Sequence, residues 1–179
     1  MEPPLPFNDE LGLALSGATA GSFAHYREAL RGLQRFVGDP VAALDRALDA
    51  DPGFEMAHVL KGYLYGLSTE RAAQAVTLAC FEAAATLPAT DRERRHVAAL
   101  GELAAGNWHR AGAILEDLTI DHPRDALALQ AGHQIDFFTG NARMLRDRIA
   151  RALPAWDEAM PGYHAVLGMH AFGLEETAD

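Results

Sequence analysis

The two side chains in this sequence best suited to acid–base or metal chemistry are His133 and Asp136. They are three residues apart, so on a helix they share one face. A buried histidine beside a carboxylate has its tautomer and charge fixed, as acid–base and metal sites require. The same pair could equally be a polar brace between packed helices, and the brace is the interpretation we favour.

A second set of side chains is expected to face a concave groove. In helical repeats the first helix of each pair lines that groove, where polar residues contact peptides or ligands. The repeat register places five such residues there: His96, Gln130, Gln134, His170 and Tyr63. His96 and His170 occupy equivalent positions and could bind an acidic group or a metal. They could also be ordinary solvated residues of the groove, which we prefer.

The strong signatures of enzymes are absent from the sequence. It contains no His-Glu-x-x-His helix, no phosphate-binding glycine loop and no Gly-x-Ser-x-Gly elbow. A single cysteine, Cys80, lies in an alanine-rich stretch and is interpreted as a small buried residue. We therefore name no catalytic residue and expect neither a metal nor a cofactor.

Composition and charge narrow the class of protein. The 179 residues are 49% hydrophobic and 22% charged, with a formal net charge of −10 and one lysine, Lys61. Phosphate binding needs clustered lysine and arginine, so we do not expect nucleic acid as a partner. No apolar run is long enough to cross a membrane, and residues 1–7 do not resemble a signal peptide. With only one cysteine, the chain is predicted to be cytoplasmic.

A period of 34 residues divides the chain into helical units. Gly106 and Gly140 are one period apart, and earlier steps fall on Ala72 and Gly38. The clearest unit, residues 91–123, carries the tetratricopeptide pattern of small, turn, aromatic, small, large and breaker residues at Ala99, Gly106, Trp108, Ala111, Leu115 and Pro123. These types permit close helix packing and a tight turn.

The predicted architecture is therefore an all-α, tetratricopeptide-like superhelix of antiparallel helix pairs. Residues 1–17 form an extension with a short helix, and no strand is predicted. Four pairs follow, at about 18–53, 54–89, 90–123 and 124–156, and then an incomplete unit at 161–179. Asp39-Pro40 and the Thr90-x-x-Glu93 capping box mark helix starts, and a helix is expected from Thr69 after a Ser68 cap.

Several stretches are similar to the tetratricopeptide repeat protein 38 family. They are ALDRALDADPGFEMAH, RERRHVAALGELAAGNWHRAGAILEDLTIDHPRDALALQAGH, FFTGNARMLRDRIARALPAW and GMHAFGLEE. The order of Asp51-Pro52, Asp121-His122-Pro123, Leu153-Pro154-Ala155-Trp156 and Phe172-Gly173-Leu174 is the most discriminating part. The resemblance implies an all-α superhelical protein more than twice as long, of which this chain matches the N-terminal part. It supplies no catalytic residues.

Three functions follow as hypotheses from this pattern. The first is a protein-interaction or scaffold module that holds a protein or peptide in its concave groove. The alternative is a small-molecule-binding protein or enzyme with a polar chamber formed by His133, Asp136, His96 and His170 and completed by a C-terminal half. A third possibility is a homo-oligomer formed through the unpaired last helix.

Overall fold

The fold, taken from a computed structural model that describes residues 7–178, is built from helices that pack on their neighbours along the chain. The predicted all-helical class is confirmed in the described residues. The helices are α1 Ala20–Arg35, α2 Pro40–Ala50, α3 Glu55–Gly66, α4 Gln74–Ala85, α5 Asp91–Ala104, α6 Trp108–Asp121, α7 Ala126–Phe138, α8 Ala142–Ala152 and α9 Tyr163–Thr177. Helices α1 and α2, α3 and α4, α5 and α6, and α7 and α8 are in contact, as are α8 and α9.

The helix starts follow from capping residues in the sequence. The Asp39 carboxylate accepts a hydrogen bond from the Ala42 backbone and Pro40 occupies the first turn of α2, as predicted. Thr90 and Glu93 form the predicted capping box of α5. Gly106 and Gly140 adopt φ of +81° and +69° between paired helices, a conformation that favours glycine.

The N-terminal extension differs from the prediction of a short helix and no strand. Within residues 7–17 the chain forms two short antiparallel strands, β1 Phe7–Asn8 and β2 Ala14–Leu15. The Asp9 carboxylate accepts hydrogen bonds from two backbone N–H groups of the connecting turn, which favours the turn over a helix. The part of this prediction that falls on residues 1–6 lies outside the described residues.

The second helix of the second pair also begins differently. Thr69 adopts φ of +60°, and a 3₁₀ turn at Arg71–Ala73 precedes α4. The Ser68 hydroxyl donates to the carbonyl of Tyr65 at the end of α3. The predicted start of this helix at Thr69 is therefore wrong, because Ser68 completes the preceding turn.

Two groups of buried side chains form the core. The larger group runs from Leu15 through α1 to α7 and includes Phe54, Leu60 and Leu115. The smaller group joins α7, α8 and α9 and includes Trp156 and Val166. The last helix therefore packs on α8 within the chain.

Candidate functional site

Asp136 is bound by an arginine that the sequence analysis did not single out. Arg148 of α8 donates from Nε and Nη2 to the Asp136 carboxylate, at 2.7 and 3.1 Å, and from Nη2 to the carbonyl of Gly112 at 3.2 Å. Glu116 Oε2 lies 3.3 Å from Nη1. Burial raises the pKa of Asp136, and the hydrogen bond and charge of Arg148 oppose that rise. The ion pair links α6, α7 and α8.

Gly132 leaves the space that the Arg148 guanidinium occupies. A β-carbon at position 132 would lie 2.7 Å from Cζ and 2.8 Å from Nε of Arg148, closer than such atoms approach in real proteins. Arg148 itself falls in the apolar stripe of Leu145, Ile149 and Ala152, where a charged residue signals a buried partner. An arginine within the apolar stripe of α8 was therefore the feature of the sequence that could have predicted a buried partner for Asp136.

His133 packs against α9. Its ring packs edge-on against Phe172 of α9, with ring centroids 5.9 Å apart, and its Nδ1 is buried without a hydrogen-bond partner. Burial lowers the pKa of His133 to about 4, with the charge of Arg148 acting in the same direction and a hydrogen bond to the backbone of Leu145 opposing it. His133 is therefore neutral at pH 7.

His96 and Tyr63, predicted to line an open groove, are fully buried. His96 donates from Nε2 to the Asp125 carboxylate at 3.0 Å, and the Tyr63 hydroxyl donates to the backbone carbonyl of His96 at 3.0 Å. Arg92 donates to the same carboxylate oxygen at 2.6 Å. His96 and Tyr63 are buried, contrary to the prediction, because the buried carboxylate of Asp125 at the start of α7 needs hydrogen-bond donors and a counter-charge inside the core.

Asp125 is the centre of this second charged group. Burial acts to raise its pKa, but His96, Arg92 and the backbone N–H of Ala128 together hold the pKa well below its ordinary value. Asp125 is also the N-cap of α7, because its Oδ1 accepts from Ala128. A single side chain thus caps one helix and binds α5.

The N-terminal segment lies across these residues. Arg92 Nη2 donates to the carbonyl of Ala14 at 2.6 Å, and the backbone N–H and hydroxyl of Ser16 each donate to Glu93 at 2.7 Å. The carbonyl of Ser16 accepts from the N–H of Glu55 at 3.3 Å. Part of the surface predicted to receive a partner is thus covered by the chain itself.

Glu55 is a buried carboxyl in the same region. Its side chain has no exposed surface, and neither of its oxygens has a hydrogen-bond partner. Burial raises the pKa of Glu55 to about 8, helped by the negative charge of Glu93 and opposed by Arg92 and Arg94. The carboxyl is therefore largely protonated at pH 7.

An open cavity lies between α7, α9 and the end of α1. We call it the aromatic cleft; its volume is about 540 Å³. Its apolar lining consists of Phe36, Phe137, Phe138, Ala165, Gly168, Met169 and Phe172, and its polar lining of Gln34, Gln130, His133, Gln134 and His164. Among the described residues, none of those that line it is Asp, Glu, Lys or Arg, although these types make up 22% of the chain. This composition distinguishes the cleft from the charged groups described above.

Phe36 stands out at the rim of the aromatic cleft. It is 79% exposed, and its backbone is left-handed, with φ of 55°. A bulky side chain in this conformation costs about 1–2 kcal/mol relative to an ordinary one. Phe137 and Phe138 are also about half exposed. Exposed aromatic residues grouped around a cavity are typical of a binding surface.

Three polar atoms of the cleft residues have no partner: Gln34 Nε2, His133 Nδ1 and Gln134 Oε1. Gln130 and Gln134, predicted as ligand-contacting residues, do line the cleft, whereas His170 is half-buried on α9 and is not part of the lining. Unpaired buried polar atoms are costly to the folded state.

The residues of the predicted polar chamber therefore do not form a single site. Asp136 is bound by Arg148, His96 is bound by Asp125, and His133 faces the aromatic cleft beside Phe172. Asp136 instead lines a smaller cavity with Arg148. Within residues 7–178, no three His, Cys, Asp or Glu side chains are grouped closely enough to hold a metal ion.

No family model matches this chain, and no solved structure matches it. None of the helices in the described part of the chain has both the length and the apolar character needed to cross a membrane.

Proposed function

We propose that this protein is a non-catalytic binding module, built from tetratricopeptide-like helix pairs, that binds its ligand in the aromatic cleft. The observation that carries the proposal is the grouping of exposed aromatic rings around a cavity of about 540 Å³ in whose described lining there is no Asp, Glu, Lys or Arg. Small-molecule sites have volumes of roughly 300–1,000 Å³ and mostly apolar walls with a few polar groups. The resemblance of the repeat pattern supports an interaction role.

The proposed site differs from the concave groove considered first. At Arg92 and Glu93 the groove is covered by the chain's own N-terminal segment, whereas the aromatic cleft is open. We assign the two buried ion pairs, Arg92–Asp125 and Arg148–Asp136, to holding helices together, because each arginine already binds a carboxylate. The proposed binding site is therefore the aromatic cleft alone.

The test uses Nile red, an uncharged dye whose emission rises in apolar surroundings. Gly168 of α9 lines the cleft, and a β-carbon added there meets no atom within 4 Å, so the backbone has room for a side chain and Gly168→Leu is expected to place apolar atoms in the cleft. We expect Gly168→Leu to weaken dye binding about tenfold or more. Gly21→Leu, at an exposed helical glycine of α1 away from the cleft, is the matched control.

Circular dichroism and thermal unfolding establish that both variants keep the fold. If Gly168→Leu and Gly21→Leu bind Nile red as well as the unaltered protein does, the aromatic cleft is not the binding site and the proposal is wrong.

A further inference from the structure

We infer that the partner bound in the aromatic cleft is a second copy of this chain, with the Phe36 ring of each copy inserted into the cleft of the other. This inference rests on the proposed function and names the partner of the same site. It is carried by the position of the exposed apolar side chains, by the backbone that holds Phe36 and by the absence of acidic residues from the described lining of the cleft.

The exposed apolar surface continues past the aromatic cleft. Val37 is 58% exposed and is not among the residues that line the cleft, and Phe36 at the rim is largely open to solvent. A small molecule inside the cleft would leave Val37 and much of Phe36 in water, at the cost of exposed apolar area. A partner that covers both must be a macromolecule with an apolar surface of its own.

Phe36 is presented on a fixed turn. The backbone N–H groups of Phe36 and Val37 both donate to the carbonyl of Gly32 in the last turns of α1. A projecting side chain whose backbone is already fixed loses little conformational freedom on binding. A cavity of about 150 Å³ is enough to hold benzene, so the aromatic cleft, at about 540 Å³, has room for a phenylalanine ring.

The projecting ring and the cavity lie side by side on one surface, because Phe36 stands at the rim of the aromatic cleft. When a two-fold axis passes between the ring and the cavity, the Phe36 of each copy meets the cleft of the other, and the same contact forms twice. Such a contact closes on itself, so we expect a dimer and no larger assembly.

Charge favours this surface over another exposed apolar residue. The chain carries a net charge of −10, so two copies repel each other unless they meet where carboxylates are absent. Ile120 on α6 is 51% exposed, but Asp117 and Asp121 lie beside it, and a two-fold contact there would bring carboxylates of both copies together. None of the described residues that line the aromatic cleft is Asp or Glu.

The exposed area sets the strength of the expected dimer. At about 200 Å² for a fully exposed aromatic side chain, Phe36, Val37, Phe137 and Phe138 together expose roughly 400 Å² of apolar surface on each copy. A standard interface buries about 800 Å² per partner. With the walls of the cleft added, the contact lies at the small end of this range. We therefore expect a reversible dimer with a dissociation constant on the order of 10–100 µM.

Sedimentation equilibrium of the full chain from about 1 to 300 µM tests the inference. We expect the average mass to rise from that of one chain to that of two over this range and to go no higher.

Two variants remove the two sides of the contact. Phe36→Asn removes the projecting ring at a position where asparagine suits the backbone, and Gly168→Leu places apolar atoms in the cleft. Each is expected to weaken the dimer about tenfold or more. Leu78→Gln, at a 45% exposed position of α4 outside the cleft lining, is the matched control and should dimerise like the unaltered chain.

An equimolar mixture of the two variants makes the test specific. Phe36→Asn keeps an open cleft and Gly168→Leu keeps the Phe36 ring, so one insertion can form in a mixed dimer and none in either variant alone. The mixture should therefore associate severalfold more tightly than either variant at the same total concentration. Equal association of the mixture and the separate variants would overturn the reciprocal insertion.

The remaining outcomes separate this inference from the proposed function. If the chain stays monomeric up to about 300 µM while Nile red binds it and Gly168→Leu weakens the dye, the dimer inference is overturned and the binding function stands with another ligand. If the chain dimerises but Phe36→Asn and Gly168→Leu dimerise as tightly as Leu78→Gln, the copies meet through another face and the inference is overturned. If the chain neither dimerises nor binds Nile red, both proposals fail.

Discussion

At Phe36, the proposed binding function and the stability of the fold are expected to oppose each other. Its left-handed backbone suits glycine or asparagine, yet the position carries a large, 79% exposed ring at the rim of the aromatic cleft. Strained residues of this kind persist where they serve binding. Stability and function are therefore expected to move in opposite directions at this position.

Phe36→Asn is expected to stabilise the protein by about 0.5–1 kcal/mol, because asparagine tolerates the left-handed conformation. The same change removes an aromatic wall and should weaken Nile red binding severalfold. Urea unfolding and a dye titration measure the two effects. Val37→Asn, at an exposed neighbour outside the cleft lining, should give no gain in stability; an equal gain there would contradict the explanation.

Glu55 makes the stability of the protein depend on pH. Its pKa is raised to about 8 by burial and by Glu93, whereas in the unfolded chain it is about 4.5. The folded state therefore holds a proton that the unfolded state has lost, so the contribution of Glu55 is fully present below about pH 4.5 and declines as the pH rises to 8.

Glu55→Gln should remove this dependence. We expect the variant to be about 1–3 kcal/mol more stable than the unaltered protein at pH 8, with little difference near pH 4. Chemical unfolding at both pH values is the measurement, and Glu82→Gln, at an exposed position of α4, is the control. An equal effect of Glu55→Gln at both pH values would show that Glu55 is not the titrating group.

Among the helices, the sequence predicted boundaries well wherever a local capping residue determines them. Asp39 and the Thr90–Glu93 box begin α2 and α5 as expected, since each needs only backbone groups within one turn. The N-terminal strands and the late start of α4 were missed. Both depend on backbone geometry at turns, around Asp9 and at Thr69, that a hydrophobic pattern does not contain.

The candidate site was predictable only in part. Gln130, Gln134 and His133 were identified because the repeat register places them on one helix, α7. Phe36 and Phe172 were not, because the aromatic cleft exists only once α9 packs beside α7 and the end of α1. The partner of Asp136 was missed for the same reason: Arg148 reaches it across a helix pair.

Arg148 is expected to be essential to the packing of α6, α7 and α8. Arg148→Met leaves Asp136 buried without its counter-charge, while Glu116 keeps its ion pair with Arg151, and should destabilise the protein by about 3–5 kcal/mol at pH 7. The loss should shrink at pH 4, since a protonated carboxyl needs no partner. Adding Asp136→Leu should recover a large share of the stability. Urea unfolding of this double-mutant cycle measures the coupling, and additive effects would contradict it.

At the scale of the whole molecule, the two groups of buried side chains should differ in local stability. The group that joins α7, α8 and α9 is much the smaller, and α9 rests mainly on α8. We expect amides in the middle of α9 to exchange with solvent about tenfold or more faster than those of α3, which lies in the larger group. Hydrogen exchange followed by mass spectrometry tests this, and equal protection would show one cooperative unit.

Binding in the aromatic cleft should slow that exchange. A ligand held between α7 and α9 stabilises the packed arrangement by mass action, so protection of α9 should rise with ligand concentration while α3 changes little. Gly168→Leu should lose this response to Nile red.

The N-terminal segment occupies the hydrogen-bonding groups of Arg92 and Glu93, so any other molecule that binds them must compete with it. Because Ala14 and Ser16 are joined to α1 by only a few residues, they are present at their binding positions at an effective concentration in the millimolar range or above. A free peptide seeking the same hydrogen bonds would have to exceed that concentration or bind far more tightly. The N-terminal segment therefore competes with any free peptide for Arg92 and Glu93, and a weakly binding peptide would not displace it.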